Sequence, residues 1–244
     1  MDVIGIIPAR YSSSRFEGKV LADIAGKPMI QHVWERAKQA FLLDDLIIAC
    51  DNEQVAEAAR GFGAKVVFTA KAHACGTDRI IEVINPIDVK IVVNIQGDEP
   101  LIHPTMIDDL ARTLLENSSI SMATIMKRIT EPEIVQDPHV VKVVVDKNNF
   151  ALYFSRAPIP FLAANSKNRN PPYYKHIGLY AYTKDFLFIY KNLPVSGLEK
   201  TEALEQLRVL EEGYRIKVIE TKYDTLGVDT PEDLDQVRER LLNT

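Results

Sequence analysis

The chain has 244 residues, of which 46% are hydrophobic and 26% charged, with a formal net charge of −5 at pH 7. That length holds one large α/β domain or at most two small ones, and the acidic balance speaks against wholesale nucleic-acid binding. No apolar stretch near the N-terminus is long enough for a signal h-region or a membrane span, and Cys50 and Cys75 have neither C-x-x-C spacing nor a metal cluster around them, so a cytoplasmic protein without membrane contact is expected and the sequon at Asn117 carries no meaning.

Asp2 to Pro8 is an apolar, β-branched run bounded by proline and reads as a buried strand. Residues 10–19 hold Arg10, Arg15 and Lys19, three serines and Gly18. Such a loop at the carboxyl end of a strand suits an anion, because small residues let backbone N–H groups approach and the cations supply charge; a solvated basic loop is the alternative. Pro28 stands where a helix begins, with Met29, Ile30, Val33, Trp34 and Ala37 at helical spacing. Leu46 to Cys50 is a second strand, Asp51-Asn52 caps a helix from Glu53 to Arg60, and Lys65 to Thr69 is a third strand. This βαβ rhythm, with continuous apolar strands, predicts a parallel sheet covered on both faces.

Gly76, Thr77 and Arg79 precede a helix expected over 80–85, with Thr77 as its N-cap. Lys90 to Ile95 is the most strand-like run and ends in Gln96-Gly97-Asp98-Glu99-Pro100, which sets two carboxylates at the carboxyl edge of a central strand. A helix follows over 104–116. Strands over 121–127, 140–145 and 151–156 come next, the last two joined by the hairpin signal Asp146 to Asn149, so this part of the sheet is expected to be antiparallel. Residues 158–172 read as a long loop, 173–182 as an aromatic strand and 202–212 as one amphipathic helix stopped by Gly213. A strand over 216–219 precedes the C-terminal helix, whose cap and first turn account for Thr230, Pro231, Glu232 and Asp233 but not for Asp229.

The Pro-Ala-Arg loop with Gly18-Lys19, the Gln96-Gly97-Asp98 turn and Val228-Asp229-Thr230-Pro231 together resemble the nucleotidyltransferases that activate sugars. The runs IIPARYSSSRFEGK, CGTDR, VNIQGDEPLI, ALYFSRAPIP, YKHIGLYAY, LEQLRVLE and GVDTPEDL narrow the likeness. In that order they are similar to the 3-deoxy-manno-octulosonate (Kdo) cytidylyltransferases over about residues 3–240. The resemblance implies a nucleotidyltransferase fold: one domain over 1–244 with a Rossmann-like, mixed but mainly parallel α/β sheet between helices. An inserted antiparallel region at about 120–225 would carry sugar binding and dimerisation. It implies attack of the sugar's anomeric hydroxyl on the α-phosphorus of CTP, giving CMP-Kdo and pyrophosphate for lipopolysaccharide synthesis.

By the same likeness, Arg10 and Lys19, helped by Arg15, hold the triphosphate, and Asp98 and Asp229 carry Mg²⁺ as cofactor. Pro8, Ala9, Gly76, Thr77 and Arg79, with Gln96 beside them, surround the nucleotide. Gln96, Arg156, His176, Tyr180, Glu205 and Gln206 face the acidic eight-carbon sugar, with Arg156 matched to its carboxylate. The family is a homodimer, which an exposed aromatic strand would suit. Two departures stand out: Glu17 and Val20 replace prolines of the usual loop, and Cys75 replaces a serine. The amino analogue 8-amino-3,8-dideoxy-octulosonate, or a sialate-like sugar, is the alternative acceptor. Neither G-x-G-x-x-G after the first strand nor G-x-x-x-x-G-K-[ST] occurs, which argues against a dinucleotide dehydrogenase and a P-loop ATPase. A non-catalytic nucleotide sensor could dispense with Asp98 or Asp229, and both are present.

Overall fold

The structure, a computed structural model, describes residues 1–12, 16–71, 73, 76–166 and 171–242. Arg15 and Cys75 therefore lie outside the described residues. The β-branched runs pair as strands. β1 (Val3–Ala9) takes parallel partners on both sides, β4 (Asp45–Cys50) and β6 (Ile91–Asn94), and β5 (Lys65–Phe68) extends the row beyond β4. On the other side of β6 lies β10 (Tyr173–Thr183), antiparallel both to β6 and to β7 (Met122–Ile129), and β11 (Lys217–Thr221) runs parallel to β7 at the edge. The order is β11-β7-β10-β6-β1-β4-β5, with β10 alone reversed. A hairpin of β8 (Lys142–Val145) and β9 (Ala151–Ser155) branches from β10. A small separate ribbon joins β2 (Asp23–Ile24) to β3 (Lys27–Pro28).

Alternation along the strands sends side chains to two cores. Val3, Ile7 and Ala9 of β1 pack with α1 (Met29–Ala37), α2 (Glu53–Gly61) and α4 (Pro104–Glu116). Ile4 and Ile6 pack on the opposite face with α3 (Gly76–Ile84), α6 (Lys184–Asn192) and α8 (Gln206–Glu211). A third, smaller cluster joins Ile24 and Met29 to Val228 and to α9 (Pro231–Leu242). The mixed, mainly parallel α/β sheet with helices on both faces is the expected architecture, and the antiparallel part falls in the second half of the chain as expected.

Several local expectations change. The strand at the N-terminus runs through Pro8 to Ala9, which pairs with Cys50. Pro28 caps α1 from an extended conformation and is not its first residue. α3 begins at Gly76, so Thr77 is inside the helix and does not cap it. The expected helix over 202–212 is two helices, α7 (Gly197–Glu202) and α8, separated at Ala203, whose φ of +53° is left-handed. Periodicity missed this because Leu204, Leu207 and Leu210 keep helical spacing and nothing in it marks the left-handed residue just before them. α5 (Pro132–Gln136) and α6 had no sequence assignment. The aromatic strand is not exposed: β10 is central, and Ile177, Tyr180 and Tyr182 are buried.

Two buried polar groups fix the second half. Lys142 is fully buried, and its ammonium donates to the carbonyls of Asp137, Val140 and Arg156 at 2.8, 2.6 and 2.6 Å. It joins the turn before β8 to the end of β9. In β10 the pairing with β7 jumps from Ile177 opposite Ile125 to Tyr180 opposite Thr124, a bulge that contains Gly178 and Leu179. The buried Thr124 Oγ1 lies 2.9 Å from the Leu179 carbonyl, 3.2 Å from that of Ile177 and 3.0 Å from His176 Nε2. A hydroxyl has one proton and a carbonyl only accepts, so Thr124 donates to the bulge and His176 Nε2–H donates to Thr124. Burial pushes the His176 imidazole down to about 3, so the ring is neutral.

Lys142→Met would leave three carbonyls without their donor and should lower unfolding free energy by about 2–3 kcal/mol, read by urea denaturation; a loss below half of that would show the bonds to be idle. For His176 the folded value lies below the unfolded one, so its contribution is complete above about pH 6.5 and is lost as pH falls toward 3. His176→Gln should therefore narrow its melting-temperature deficit relative to the native protein as pH is lowered from 7 to 5. A deficit that stays constant with pH would contradict this.

Candidate active site

In open α/β sheets, ligands bind outside the carboxyl ends of the strands. Here that edge brings together the ends of β1 and β6, the start of α3, the His176–Tyr180 part of the reversed β10, and the segment before α9. Gly97 lets the turn after β6 close on β1: a Cβ there would lie 3.0 Å from the Pro8 carbonyl. At Gly76, by contrast, a Cβ would make only ordinary contact with the Pro8 ring, at 3.6 Å. After β1 the loop returns at Gly18, whose φ of +68° suits glycine and whose N–H donates to the Tyr11 carbonyl at 2.8 Å. A 3₁₀ turn, Lys19–Leu21, follows. Val20, one of the departures from the usual loop, is buried in the core beneath it, and Glu17, the other, is exposed.

Lys19 is the centre of the site. Its ammonium donates to Asp98 Oδ2 at 2.6 Å, to Asp229 Oδ1 at 3.0 Å and to the Val228 carbonyl at 3.0 Å. The two chain segments are also tied directly, Val228 N–H donating to the Asp98 carbonyl at 2.9 Å. Burial alone would pull the Lys19 ammonium down, but Asp98 and Asp229 outweigh it and hold it above the ordinary lysine value. Asp229 is aimed by the helix cap beside it: Asp233 accepts from the N–H groups of Asp229 and Thr230, and Thr230 Oγ1 accepts from Asp233 N–H. Thr230 and Asp233 thus cap the helix as expected, and the cap also fixes Asp229.

The sequence sets Glu99 beside Asp98 at the strand edge but gives it no role of its own. Its Oε2 is buried without a hydrogen-bond partner among the described residues, and burial, with Asp98 next to it, pushes its carboxyl up to about 8. The carboxyl lies against Gly227, where a Cβ would approach Oε1 to 3.1 Å.

Two cavities meet at this edge. One, of about 280 Å³, is lined by Gly76, Thr77, Gln96, Tyr180, Glu205 and Gln206 among others. The other, of about 640 Å³, is bounded by Asp98, Glu99, Lys175 and Asp229. His176 and Gly178 line both. The break at Ala203 turns Glu205 and Gln206 into the first cavity. Gln206 is buried, with Nε2 lacking a partner among the described residues, a donor suited to a bound acceptor. Burial raises the Glu205 carboxyl, with Arg208 and Arg10 opposing it. Asn94, Tyr182 and Tyr190 also line this cavity and were not singled out from sequence. Their signal was present only as core-like residues in apolar runs.

Two expected site residues are placed elsewhere. Arg79 is fully buried and bound to Asp51 at 2.6 Å and to Thr69, so it braces the start of α3 from within. Arg156 lines neither cavity; its Nε donates to the Glu202 carbonyl at 2.8 Å and NH1 to the Pro138 carbonyl at 3.1 Å. Glu202 in turn accepts from Ser155 Oγ and from Arg156 N–H. Arg156 holds the residue just before the Ala203 break. Arg10 stands at the end of β1 and donates to the His73 carbonyl at 2.9 Å. Ala9 is buried beside it.

Among the described residues, no cluster of three or more His, Cys, Asp or Glu could hold a metal. The pair Asp98 and Asp229 nevertheless suits a hard cation that takes most of its ligands from phosphate and water, and the Lys19 ammonium already lies between them. No helix among the described residues is long and apolar enough to cross a membrane.

The chain was compared with known proteins. The cytidylyltransferase family model matches residues 4–218. A 3-deoxy-manno-octulosonate cytidylyltransferase of Solibacter usitatus is 54% identical, covering 96% of this chain and 92% of the relative. One of Geobacter sulfurreducens is 48% identical, covering 99% and 100%. The solved structure of a CMP:2-keto-3-deoxy-manno-octonic acid synthetase complexed with CTP superposes with a TM-score of 0.93 at 41% identity, covering 100% of this chain and 99% of the other. A 4-diphosphocytidyl-2C-methyl-D-erythritol synthase of Anaerococcus prevotii shares the fold, with a TM-score of 0.65 at 12% identity over 99% and 96% of the two chains. With full-length identity near one half, and with Lys19, Asp98 and Asp229 drawn into one cluster at the strand ends, the chain belongs to the 3-deoxy-manno-octulosonate cytidylyltransferase family.

Proposed function

We propose that the protein transfers CMP from CTP to the anomeric hydroxyl of 3-deoxy-manno-octulosonate, releasing pyrophosphate and activating the sugar for lipopolysaccharide synthesis. The observation that carries the reading is the Lys19 ammonium bonded to both Asp98 and Asp229, the two carboxylates that bound the larger cavity. The full-length likeness to relatives of that name supports the choice of sugar.

In the reaction the hydroxyl oxygen bonds to the α-phosphorus, the bond to the β-phosphate bridging oxygen breaks, and the hydroxyl proton leaves to solvent. The chemistry demands alignment and charge neutralisation more than covalent participation by the protein. Lys19 and Arg10 supply positive charge near the phosphates. Pro8, Ala9, Gly76 and Thr77 form the nucleotide's surroundings. Gln96, Tyr180, Glu205 and Gln206 orient the sugar, and His176, held neutral, presents a ring that neither repels nor captures charge. Asp98 and Asp229 would hold Mg²⁺, which when bound neutralises the triphosphate and lowers the pKa of the attacking hydroxyl. The reading places the enzyme in the cytoplasm, as a homodimer. Leu152, Phe161 and Leu162 of the second half are exposed apolar side chains, Phe161 at 88%, which suits burial against a second copy.

Pyrophosphate release is expected with CTP and 3-deoxy-manno-octulosonate in the presence of Mg²⁺ and not after chelation; turnover with sialic acid but not with the octulosonate would overturn the substrate. Asp98→Ala and Asp229→Ala should each lower kcat by about a thousandfold or more while circular dichroism stays native, and near-normal rates in either would refute the metal role. Phe161→Glu should shift light-scattering mass from dimer to monomer, whereas a native protein that is already monomeric would dispose of the dimer.

A further inference from the structure

Gly178 has no structural reason to be glycine. It sits inside the central strand β10, where glycine is ordinarily unfavourable relative to alanine. Its φ is not in the left-handed range that favours glycine, so an L side chain is not strained there on that account. Neither does packing demand it: a Cβ built on Gly178 would meet no protein atom within 4 Å. Gly5 and Gly97 differ, since a Cβ on either would collide with neighbours at 2.8 and 3.0 Å.

What distinguishes Gly178 is its place. It lines both cavities, beside His176, at the bulge where β10 departs from its register with β7. The bulge is anchored from within the sheet by Thr124, fully buried and bonded to the carbonyls on either side of Gly178. The backbone is therefore held in place at the lining shared by the cavity that carries Glu205 and Gln206 and the cavity that carries Asp98 and Asp229. On the functional reading above, an acceptor with its body among the polar groups of the first cavity and its attacking hydroxyl toward the carboxylate pair lies against that shared lining.

We propose that Gly178 is a specificity-determining position, its missing side chain leaving room for the polyhydroxylated acid to span the two cavities. The proposal rests on the reading of this cleft as the site of sugar activation. It predicts that the space is needed by the ligand and not by the fold. A side chain at 178 excludes the acceptor by volume, and the nucleotide loop around Lys19 is untouched.

The test is steady-state kinetics of pyrophosphate release by the full chain, with CTP and the octulosonate varied separately, for the native protein, Gly178→Ala and Gly178→Val. Gly178→Ala should raise KM for the octulosonate roughly tenfold, and Gly178→Val roughly a hundredfold or to loss of turnover, on the scale of added methylenes in a fitted pocket. KM for CTP should stay within about twofold, a split that a merely structural role would not produce. The melting temperature of Gly178→Ala should equal or exceed the native value, because alanine restricts the unfolded chain. Folded variants with native octulosonate KM would overturn the proposal, as would equal losses for both substrates. If Gly178→Val fails to fold, Gly178→Ala decides alone. If the native protein turns over no octulosonate, the functional reading itself fails and takes the proposal with it, an outcome distinct from the others.

Discussion

One ammonium group holds the active site together. Lys19 reaches from the loop after the first strand to Asp98, after the fourth parallel strand of the row, and to Asp229, just before the final helix. Two carboxylates facing one another would repel, and the lysine compensates both while staying more firmly protonated than in water. Each partner is braced from outside the cluster: Lys19 by the buried Val20 and the positive φ of Gly18, Asp98 by the close approach of Gly97 to Pro8, and Asp229 by the Thr230–Asp233 cap. Rigid supports of this kind fix where the two carboxylates stand around the ammonium.

The cavity that holds Glu205 and Gln206 is organised on another principle. There part of the lining comes from a bulged central strand and from the left-handed break at Ala203, and each lies beside buried polar anchors. Thr124 anchors the bulge. Arg156, Ser155 and Glu202 anchor the residue before the break, and Lys142 ties Arg156 to the turn after α5. Irregular backbone has to satisfy its carbonyls somewhere, and here it does so through side chains where a ladder partner is missing.

The same contrast explains what could be read from the amino-acid order. Strands β1, β4 and β6 and helix α4 were legible because apolar periodicity and caps are local signals. Asp229 was legible because the helix cap explained its neighbours and left it over. The break at Ala203 was not legible, since nothing in the leucine spacing around Leu204 and Leu207 marks the residue before them as the left-handed cap of α7. Arg156 and Arg79 show the limit of reasoning by residue type. A guanidinium suits a carboxylate or a nucleotide, but it suits a backbone carbonyl or a buried aspartate equally well, and only the packing chooses. The aromatic strand was misjudged as exposed because Tyr carries a polar tip, while the sheet order places it between two other strands.

The carboxylates that meet on Lys19 stand at positions 98 and 229, and the strand order makes neither the β6 turn nor the pre-α9 segment dispensable. On a ribosome the chain emerges in order, so the sheet around β1 and β6 can assemble long before Asp229 has left the exit tunnel. A partly synthesised chain would display the nucleotide loop with only one of its two carboxylates. Whatever chemistry needs both carboxylates is thereby deferred until the last helix has docked.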